Sequence, residues 1–222
     1  MSFNIAIDGP AGAGKSTIAK KTAKILGFVY VDTGAMYRSI ALYMLQNQID
    51  IHNQRAVEAR CKDVQIQLKY EADGQQVYLN GVNVSKEIRQ EQVGKAASVV
   101  SAYPIVRQTL LGLQQDIAAT QDILMDGRDI GTCVLPKAQL KIYLTASVHT
   151  RALRRYQELV EKGQDCVLEE IERDIEDRDY RDMHREIAPL KVAEDAVVID
   201  SSDMTIDQVT EEIISLVNQK RC

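Results

Sequence analysis

The most informative segment of the 222-residue chain is FNIAIDGPAGAGKST, residues 3–17. Residues 3–8 form an apolar run that is too short for a core helix, and they therefore predict a buried strand. Three glycines follow within residues 9–14, and the spacing of the next apolar residues predicts an amphipathic helix from Lys15 to Leu26. A strand, a glycine-rich turn and a helix in this order predict a loop that binds phosphate.

The loop matches the pattern Gly-x-x-x-x-Gly-Lys-Ser/Thr at each fixed position. Its glycines allow backbone N–H groups to approach an anion, and the N-terminus of the following helix adds a partial positive charge. We expect Lys15 to reach the β- and γ-phosphates of a nucleoside triphosphate and the hydroxyl of Ser16 to bind Mg²⁺. The triphosphate-binding residues predicted in this loop are Gly9, Pro10, Ala11, Gly12, Ala13, Gly14, Lys15, Ser16 and Thr17. Because the Asn-Lys-x-Asp motif of guanine readers is missing from the sequence, ATP is the expected nucleotide.

Composition and charge restrict the classes of function. The chain has 32 acidic and 27 basic residues, a net charge of -5, which argues against a non-specific nucleic-acid binder. No apolar run approaches the roughly 20 residues of a membrane span, and the short start before the first strand is expected to hold no signal peptide. The cysteines stand far apart, at positions 61, 133, 166 and 222, and predict free thiols in a reducing cytoplasm. A monomer is the default expectation.

Four further apolar runs predict strands, and amphipathic segments predict helices between them. The predicted strands are residues 28–31, 123–125, 140–144 and 196–199. The predicted helices are residues 35–46, 85–101, 104–120 and 206–217, and a capping box of Thr205 and Gln208 precedes the last one. Buried strands that alternate with helices predict an α/β fold with a doubly wound, five-stranded parallel sheet.

Residues 62–92 interrupt this alternation. Val64, Ile66, Leu68 and Tyr70 alternate with polar residues, and turn dipeptides stand at residues 73–74 and 80–81. The pattern predicts a small antiparallel β insertion. Its role is open at this point, since the insertion is either decoration or a mobile clamp for a substrate.

Arginines near the predicted strand ends indicate a second anion site. Arg38 and Arg128 follow strands whose carboxyl ends form the ligand-binding edge of an open α/β sheet. A later helix is predicted to carry three basic residues and one acidic residue on one stripe, with the spacing i, i+3, i+4 and i+7. These residues are Arg178, Arg181, Asp182 and Arg185. Either a bound anion compensates the like charges, which we favour, or the carboxylates at positions 174, 177 and 179 compensate them.

Asp126 directly follows the apolar run at residues 123–125. A carboxylate at the end of a buried strand binds the metal through water in many phosphate-loop enzymes, or it caps the next turn. The sequence leaves both roles of Asp126 open.

Four segments resemble the bacterial cytidylate kinase family, namely GPAGAGKST, VDTGAMYR, MDGRDIGT and ERDIEDRDYRDMHREIAPL. The first is common to many phosphate-binding loops, whereas the last two are much more specific, and the resemblance covers essentially the whole chain. It implies a P-loop kinase core at residues 1–61, 93–149 and 167–222. It further implies that residues 62–92 are an inserted part of the monophosphate-binding domain and that residues 150–166 form a helical lid.

The resemblance implies ATP-dependent phosphorylation of CMP and dCMP to CDP and dCDP, with Mg²⁺ as cofactor and neither nucleic acid nor a membrane as partner. It implies that Lys15, Arg128 and Arg185 are catalytic and that Arg38 joins the two arginines on the acceptor phosphate. Arg154 is implied to bind ATP as part of the lid. The lid arginines are Arg151, Arg154 and Arg155.

The remaining residues implied by the resemblance surround the acceptor nucleotide. Thr33 and Tyr37 are implied to line the monophosphate pocket. Ser98 and Arg107 are implied to hydrogen-bond to the cytosine edge, with Asp129 close to the base. Arg178 and Asp182 of the later helix are implied to hold the ribose.

Two other functions share some of these features. A P-loop kinase for another small acceptor, such as UMP, has the same loop and lid. A P-loop ATPase switch hydrolyses ATP without transferring the phosphoryl group to an acceptor, and the acidic net charge and the missing guanine-reading motif count against it.

Overall fold

The structure, a computed structural model, describes residues 2–71 and 74–221. In chain order its strands are β1 (Asn4–Asp8), β2 (Val29–Asp32), β3 (Ile66–Glu71), β4 (Gly74–Leu79), β5 (Val82–Asn83), β6 (Ile123–Gly127), β7 (Leu140–Thr145) and β8 (Val197–Asp200). Its α-helices are α1 (Lys15–Leu26), α2 (Thr33–Gln46), α3 (Gln54–Cys61), α4 (Glu91–Val100), α5 (Pro104–Thr120), α6 (Val148–Glu161), α7 (Leu168–His184) and α8 (Ile206–Arg221). A 3₁₀ turn at Glu87–Arg89 and a π-helical turn at Ile130–Val134 are also present.

Five strands form one sheet in the order β2-β6-β1-β7-β8. β1 pairs in parallel with both β6 and β7, and β7 pairs in parallel with β8. The central strand β1 places Ile5, Ala6 and Ile7 fully inside the core, where each large aliphatic side chain contributes about 1.5–3 kcal/mol. Because helices connect strands that are distant in the chain, the predicted doubly wound, five-stranded parallel sheet is confirmed.

The predicted β insertion is also confirmed. β3, β4 and β5 form a separate antiparallel sheet in which Ile66 lies opposite Leu79. Asn80 and Gly81 connect β4 to β5 with φ values of 48° and 83°, a left-handed pair that this dipeptide accommodates well. The other predicted turn includes Asp73, which lies outside the described residues.

The prediction of one helix over residues 85–101 is wrong. The segment contains the 3₁₀ turn Glu87–Arg89, then Gln90 in an extended conformation, and then α4. The hydroxyl of Ser85 accepts a hydrogen bond from the backbone N–H of Val77, and Ile88 is fully buried. These two tertiary contacts fix the segment in two pieces, although its local sequence is compatible with one helix.

Two further differences concern helix boundaries. Helix α3 was not predicted, because only Val57 and Cys61 of its eight residues are buried and the apolar pattern is short. Helix α7 ends at His184, so Arg185 is not on the predicted helical stripe. The chain turns there because Ala188 has a positive φ of 49° and Pro189 cannot continue a helix.

The chain divides into two compact units. The first consists of Met1–Tyr30 with Gln121–Cys222, and the second consists of Val31–Thr120. The expected division into core, insertion and lid stays a prediction. Among the described residues, no helix is both long and apolar enough to cross a membrane.

Candidate active site

The glycine-rich loop connects β1 to α1 in the first unit, as predicted. Gly9, Gly12 and Gly14 have positive φ values of 151°, 77° and 82°. A Cβ atom on Gly9 would overlap the carbonyl oxygen of Leu144, and one on Gly12 would lie 3.2 Å from Cβ of Arg151. Glycine is therefore required for both conformation and space, and the loop keeps its backbone accessible to an anion.

Lys15 is the first residue of α1, and only 6 % of it is exposed. Its Nζ donates a hydrogen bond to the carbonyl oxygen of Pro10 at 2.6 Å. Burial lowers the pKa of Lys15 well below its ordinary value, and the positive charges of Arg128 and Arg178 lower it further, against the opposing effect of nearby carboxylates. An anion at this position would stabilise the charged lysine, because it would offset both the burial and the neighbouring guanidinium groups.

A hydroxyl and a carboxylate meet at the start of α1. Ser16 Oγ donates a hydrogen bond to Asp126 Oδ2 at 3.0 Å, and the hydroxyl of Tyr30 donates one to Asp126 Oδ1 at 2.9 Å. The geometry thus places Asp126 beside Ser16, which favours the metal-binding role over the turn cap. Tyr30 is not among the predicted site residues, because in the sequence it is simply one residue of an apolar strand.

The oxygen atoms of Ser16 and Asp126 fit Mg²⁺, which prefers hard oxygen ligands and commonly combines one or two protein groups with phosphate oxygens and water. In the described part of the chain, no group of three or more His, Cys, Asp or Glu side chains could hold a metal ion by itself. A magnesium ion at this position would therefore depend on the phosphates of the nucleotide for further ligands.

Asp8 ends β1 directly before the loop and is 5 % exposed. Its carboxylate accepts hydrogen bonds from the backbone N–H groups of Ile130 at 2.8 Å and Gly131 at 2.7 Å. Burial raises the pKa of Asp8 to about 6, with the charge of Asp129 acting in the same direction and the two N–H donors acting against it. Asp8 thereby connects the strand before the loop to the turn that carries Arg128 and Asp129, a role that the sequence analysis missed.

Four of the predicted acceptor residues come together within the first unit. Arg128 Nε donates to Asp182 Oδ2 at 2.9 Å, and Arg185 Nη2 lies 3.5 Å from Asp129 Oδ1. Burial alone would raise the pKa of Asp182, but Arg128 and, more weakly, Arg178 and Arg185 hold it below its ordinary value. The structure thus concentrates positive charge around Asp182.

Nearby carboxylates compensate the positive charge of some arginines of the predicted stripe but not of all. Arg181 is exposed, and its Nε donates to the backbone oxygen of Asp177 rather than to a carboxylate. Asp179 is buried, but its partner is Arg151 of α6. The carboxylates that pair with Arg128 and Arg185 are those of Asp182 and Asp129, so the arginines already have defined orientations before any anion binds.

The three lid arginines have different surroundings. Arg151 is 4 % exposed and donates from Nη1 to Ala11 O at 3.0 Å and from Nε to Ala146 O at 2.9 Å, and its Nη1 lies 2.6 Å from Asp179 Oδ2. Arg154 donates from Nη2 to Ser201 O at 2.7 Å. Arg155 pairs with Glu158 on the surface of α6. Arg151 therefore fixes the backbone of the phosphate loop, which the sequence did not reveal.

In the second unit, α2 begins at a buried carboxylate. Asp32 is 4 % exposed and accepts the backbone N–H of Ala35 at 2.8 Å, which caps the helix that starts at Thr33. Its Oδ2 also lies 3.0 Å from Nη2 of both Arg38 and Arg89. Burial alone would raise the pKa of Asp32, but the two guanidinium groups hold it below its ordinary value. Asp32 and Arg89 were not among the predicted site residues, although Asp32 stands within the segment VDTGAMYR.

In the second unit, Ser98 lies on α4 and Arg107 on α5, and α2 contacts both of these helices. The guanidinium carbon of Arg107 lies 5.7 Å from the centre of the Tyr37 ring, and Nη1 of Arg107 donates to Ser101 O at 3.3 Å. Ser98 is half-buried on α4, and its carbonyl oxygen accepts a hydrogen bond from Ser101 Oγ. Tyr37 and Arg107 thus form one contact, while Ser98 is linked to Arg107 through Ser101.

Comparison with known proteins adds to this geometry. The family model described as cytidylate kinase matches residues 5–219. A cytidylate kinase of Ligilactobacillus salivarius is 48 % identical over 218 residues, covering 98 % of this chain and 97 % of that protein. A cytidylate kinase of Alkaliphilus metalliredigens is 49 % identical over 221 residues, covering 99 % of each.

A solved structure supports the fold alone. It is an uncharacterized protein from Eubacterium ventriosum with a TM-score of 0.54 and 12 % identity, covering 98 % of this chain and 99 % of that one. The family model and the relatives both extend over nearly the whole length, and they agree with the sequence resemblance. The chain therefore belongs to the cytidylate kinase family.

Proposed function

We propose that this chain transfers the γ-phosphoryl group of ATP to the α-phosphate of CMP and dCMP, giving ADP and CDP or dCDP. The observation that carries the proposal is the buried Lys15 in a glycine loop that is open to an anion, in a chain of this family throughout its length. The attacking oxygen belongs to a phosphate that is already ionised at pH 7, so no general base is required. Catalysis then consists of alignment and charge neutralisation.

The phosphates of ATP are proposed to lie against residues 9–17. The backbone N–H groups of the loop and Lys15 Nζ would bind the β- and γ-phosphates, and a bound phosphate would take over the lysine from Pro10 O. Arg151 donates a hydrogen bond to the carbonyl oxygen of Ala11 and thereby stabilises the conformation of the loop. Arg154 is proposed to bind ATP from the lid, which requires that it exchange its contact with Ser201 for the nucleotide.

Mg²⁺ is the proposed cofactor, and Ser16 and Asp126 are the residues that would hold it. When bound, the ion neutralises charge on the β- and γ-phosphate oxygens. The hydroxyl of Tyr30 holds Asp126 in the orientation that faces Ser16, which supports this assignment.

The acceptor nucleotide is assigned to the residues that the family resemblance implies. Arg38, Arg128 and Arg185 bind its phosphate, and their paired carboxylates hold the guanidinium groups in defined orientations. The ribose is assigned to Arg178 and Asp182. The cytosine and its surroundings are assigned to the remaining residues. These are Thr33, Tyr37, Ser98, Arg107 and Asp129.

The insertion at residues 62–92 and the lid at residues 150–166 are proposed to close during the reaction. Closure would exclude water, which otherwise competes as an acceptor and consumes ATP without product.

We also propose that the chain acts as a monomer in the cytoplasm, without nucleic-acid partners. The cytoplasmic location is supported by the free thiols of Cys61, Cys133 and Cys166. Cys222 lies outside the described residues.

A coupled assay of ADP formation tests the proposed activity. CMP, dCMP, UMP and AMP are offered separately with ATP and Mg²⁺, beside a control without acceptor. Formation of ADP with CMP and dCMP only is the expected result. Formation of ADP without acceptor would indicate a hydrolysing switch, and a preference for UMP or AMP would indicate a kinase for another acceptor.

The acceptor role of Arg185 has its own test. Arg185→Ala is expected to raise the KM for CMP about 10- to 100-fold, because a charge-assisted hydrogen bond to phosphate is lost, and to leave the KM for ATP nearly unchanged. Arg181→Ala is the matched control, since Arg181 is exposed one turn away on α7. An equal rise in both KM values for Arg185→Ala would assign this arginine a purely structural role.

A further inference from the structure

One carboxylate in the second unit holds two arginines. Nη2 of Arg38 and Nη2 of Arg89 each lie 3.0 Å from the same oxygen, Oδ2 of Asp32. Two atoms that share this oxygen can be no more than about 6 Å apart, a separation that one phosphate group with three oxygens can bridge. The two guanidinium groups are therefore close enough to bind one phosphate together.

The charges at this place do not cancel. Two guanidinium groups carry two positive charges, whereas Asp32 supplies one negative charge that burial and pairing confine to the cluster. The side chain of Asp32 is 5 % exposed, that of Arg38 is 21 % exposed and that of Arg89 is 51 % exposed. The excess positive charge consequently lies on the solvent-facing arginines, where an anionic ligand can reach it.

Arg89 comes from the inserted segment. It ends the 3₁₀ turn Glu87–Arg89, which the fully buried Ile88 anchors and which contacts α2. A second residue of the insertion reaches the same place, since Gln75 Oε1 accepts the backbone N–H of Asp32 at 3.0 Å. Two side chains from separate parts of residues 62–92 thus converge on the start of α2, which favours the clamp over the decoration.

We propose that Arg89 is a further acceptor-binding residue, which holds the α-phosphate of the nucleoside monophosphate together with Arg38. This inference rests on the proposed function. A phosphate monoester carries about 1.5 to 2 negative charges at pH 7 and three strong acceptor oxygens, which matches two guanidinium groups better than a neutral base or a sugar hydroxyl does. Asp32 is the positioning residue that orients both arginines before the phosphate arrives.

Steady-state kinetics of the full chain test the role of Arg89. Arg89→Ala is expected to raise the KM for CMP about tenfold, because a charged donor to the phosphate is lost, while the KM for ATP stays within about twofold. Arg89→Lys, which keeps the charge but loses the planar fork, is expected to recover part of the loss. Arg55→Ala is the control, since Arg55 is an exposed arginine of the same unit on α3.

Several outcomes would overturn the inference. An unchanged KM for CMP in Arg89→Ala would show that Arg89 does not bind the acceptor, and a parallel rise in both KM values would show that it acts only on the fold. If the alanine variant does not fold, Arg89→Gln, which can still hydrogen-bond to Asp32, takes its place with the same expectations. If the unaltered chain transfers no phosphoryl group to CMP, it is the proposed function that fails, a result that does not depend on Arg89.

Discussion

Charged side chains in the two compact units differ in their burial and in the groups that they contact. In the first unit, Asp8, Lys15 and Arg151 are buried next to the phosphate loop, and each hydrogen-bonds to backbone atoms. In the second unit, Asp32 binds two arginines, and half of the Arg89 side chain is exposed. Of these two arginines, the buried Arg151 acts on the fold, whereas the half-exposed Arg89 remains accessible to a ligand.

The largest effect is expected for Arg151 in the first unit. Arg151→Ala leaves the carboxylate of Asp179 buried without its ion partner and frees the carbonyl oxygen of Ala11. We expect the free energy of unfolding to fall by about 3–5 kcal/mol, as for other broken buried ion pairs. Urea denaturation followed by circular dichroism measures this change.

A double variant sharpens the same prediction. Arg151→Met with Asp179→Leu removes both charges and keeps similar volumes, so it is expected to be less destabilising than Arg151→Ala. A double variant that loses more stability than the single one would contradict the view that the pair is held together by its charges.

The next prediction concerns Lys15, which is expected to act in catalysis rather than in stabilising the fold. Lys15→Ala is expected to lower kcat about 10²- to 10³-fold, because a charge that stabilises the transferring phosphoryl group is removed. The fold should survive, since burial of the charged lysine is itself unfavourable, as its lowered pKa shows. Lys24→Ala, an exposed position on the same helix, is the control. Near-normal turnover of Lys15→Ala would contradict the role.

Asp8 and Asp32 should give opposite dependences of stability on pH. The pKa of Asp8 is raised from 3.8 to about 6, so the folded chain binds a proton that the unfolded chain has already released between these values. The stability contributed by Asp8 therefore falls as pH rises through this interval, by about 3 kcal/mol, because a tenfold change in proton affinity is about 1.4 kcal/mol.

The measurement is the difference in unfolding free energy between the unaltered chain and Asp8→Asn from pH 4 to pH 7, which should decrease as pH rises. Asp32 has a lowered pKa, so its contribution is present above its unfolded value of 3.8 and is lost as pH falls. The corresponding difference for Asp32→Asn, measured below pH 4, should therefore increase as pH rises. Equal signs for the two variants would contradict the difference between the surroundings of these two carboxylates.

The smallest effect is expected for the stability of Arg89→Ala. Its ion pair with Asp32 is half-exposed, and Arg38 remains to compensate the carboxylate, so the free energy of unfolding should change by less than about 1 kcal/mol. A loss as large as that of Arg151→Ala would show that Arg89 is a structural residue of the second unit.

Features that depend on neighbouring residues could be predicted from the sequence. The glycine spacing of the phosphate loop and the start of α1 at Lys15 are correct because the conformation of a short loop depends on its own residues. The hairpin turn at Asn80-Gly81 is correct for the same reason. By contrast, the break before α4 depends on the burial of Ile88, which the local helical pattern does not reveal.

Contacts between distant residues could not be predicted. Asp8 and Ile130 are 122 positions apart, and Arg151 and Ala11 are 140 positions apart. The sequence marks each of these residues only as a polar group near a strand end or on a helix. Their pairing follows from the way the strands and helices pack, which a single sequence does not specify.

The sheet, the phosphate loop, the insertion and the family could all be predicted from the sequence, because each depends on short patterns of apolar residues, glycines and characteristic segments. The partner of each charged group depends on the tertiary structure, as in the contacts of Asp126 with the Tyr30 hydroxyl, of Arg151 with the Ala11 carbonyl oxygen, and of Asp32 with Arg38 and Arg89. The physical reason is that a buried charge needs a partner, and only packing determines which residue of the chain comes close enough to be that partner.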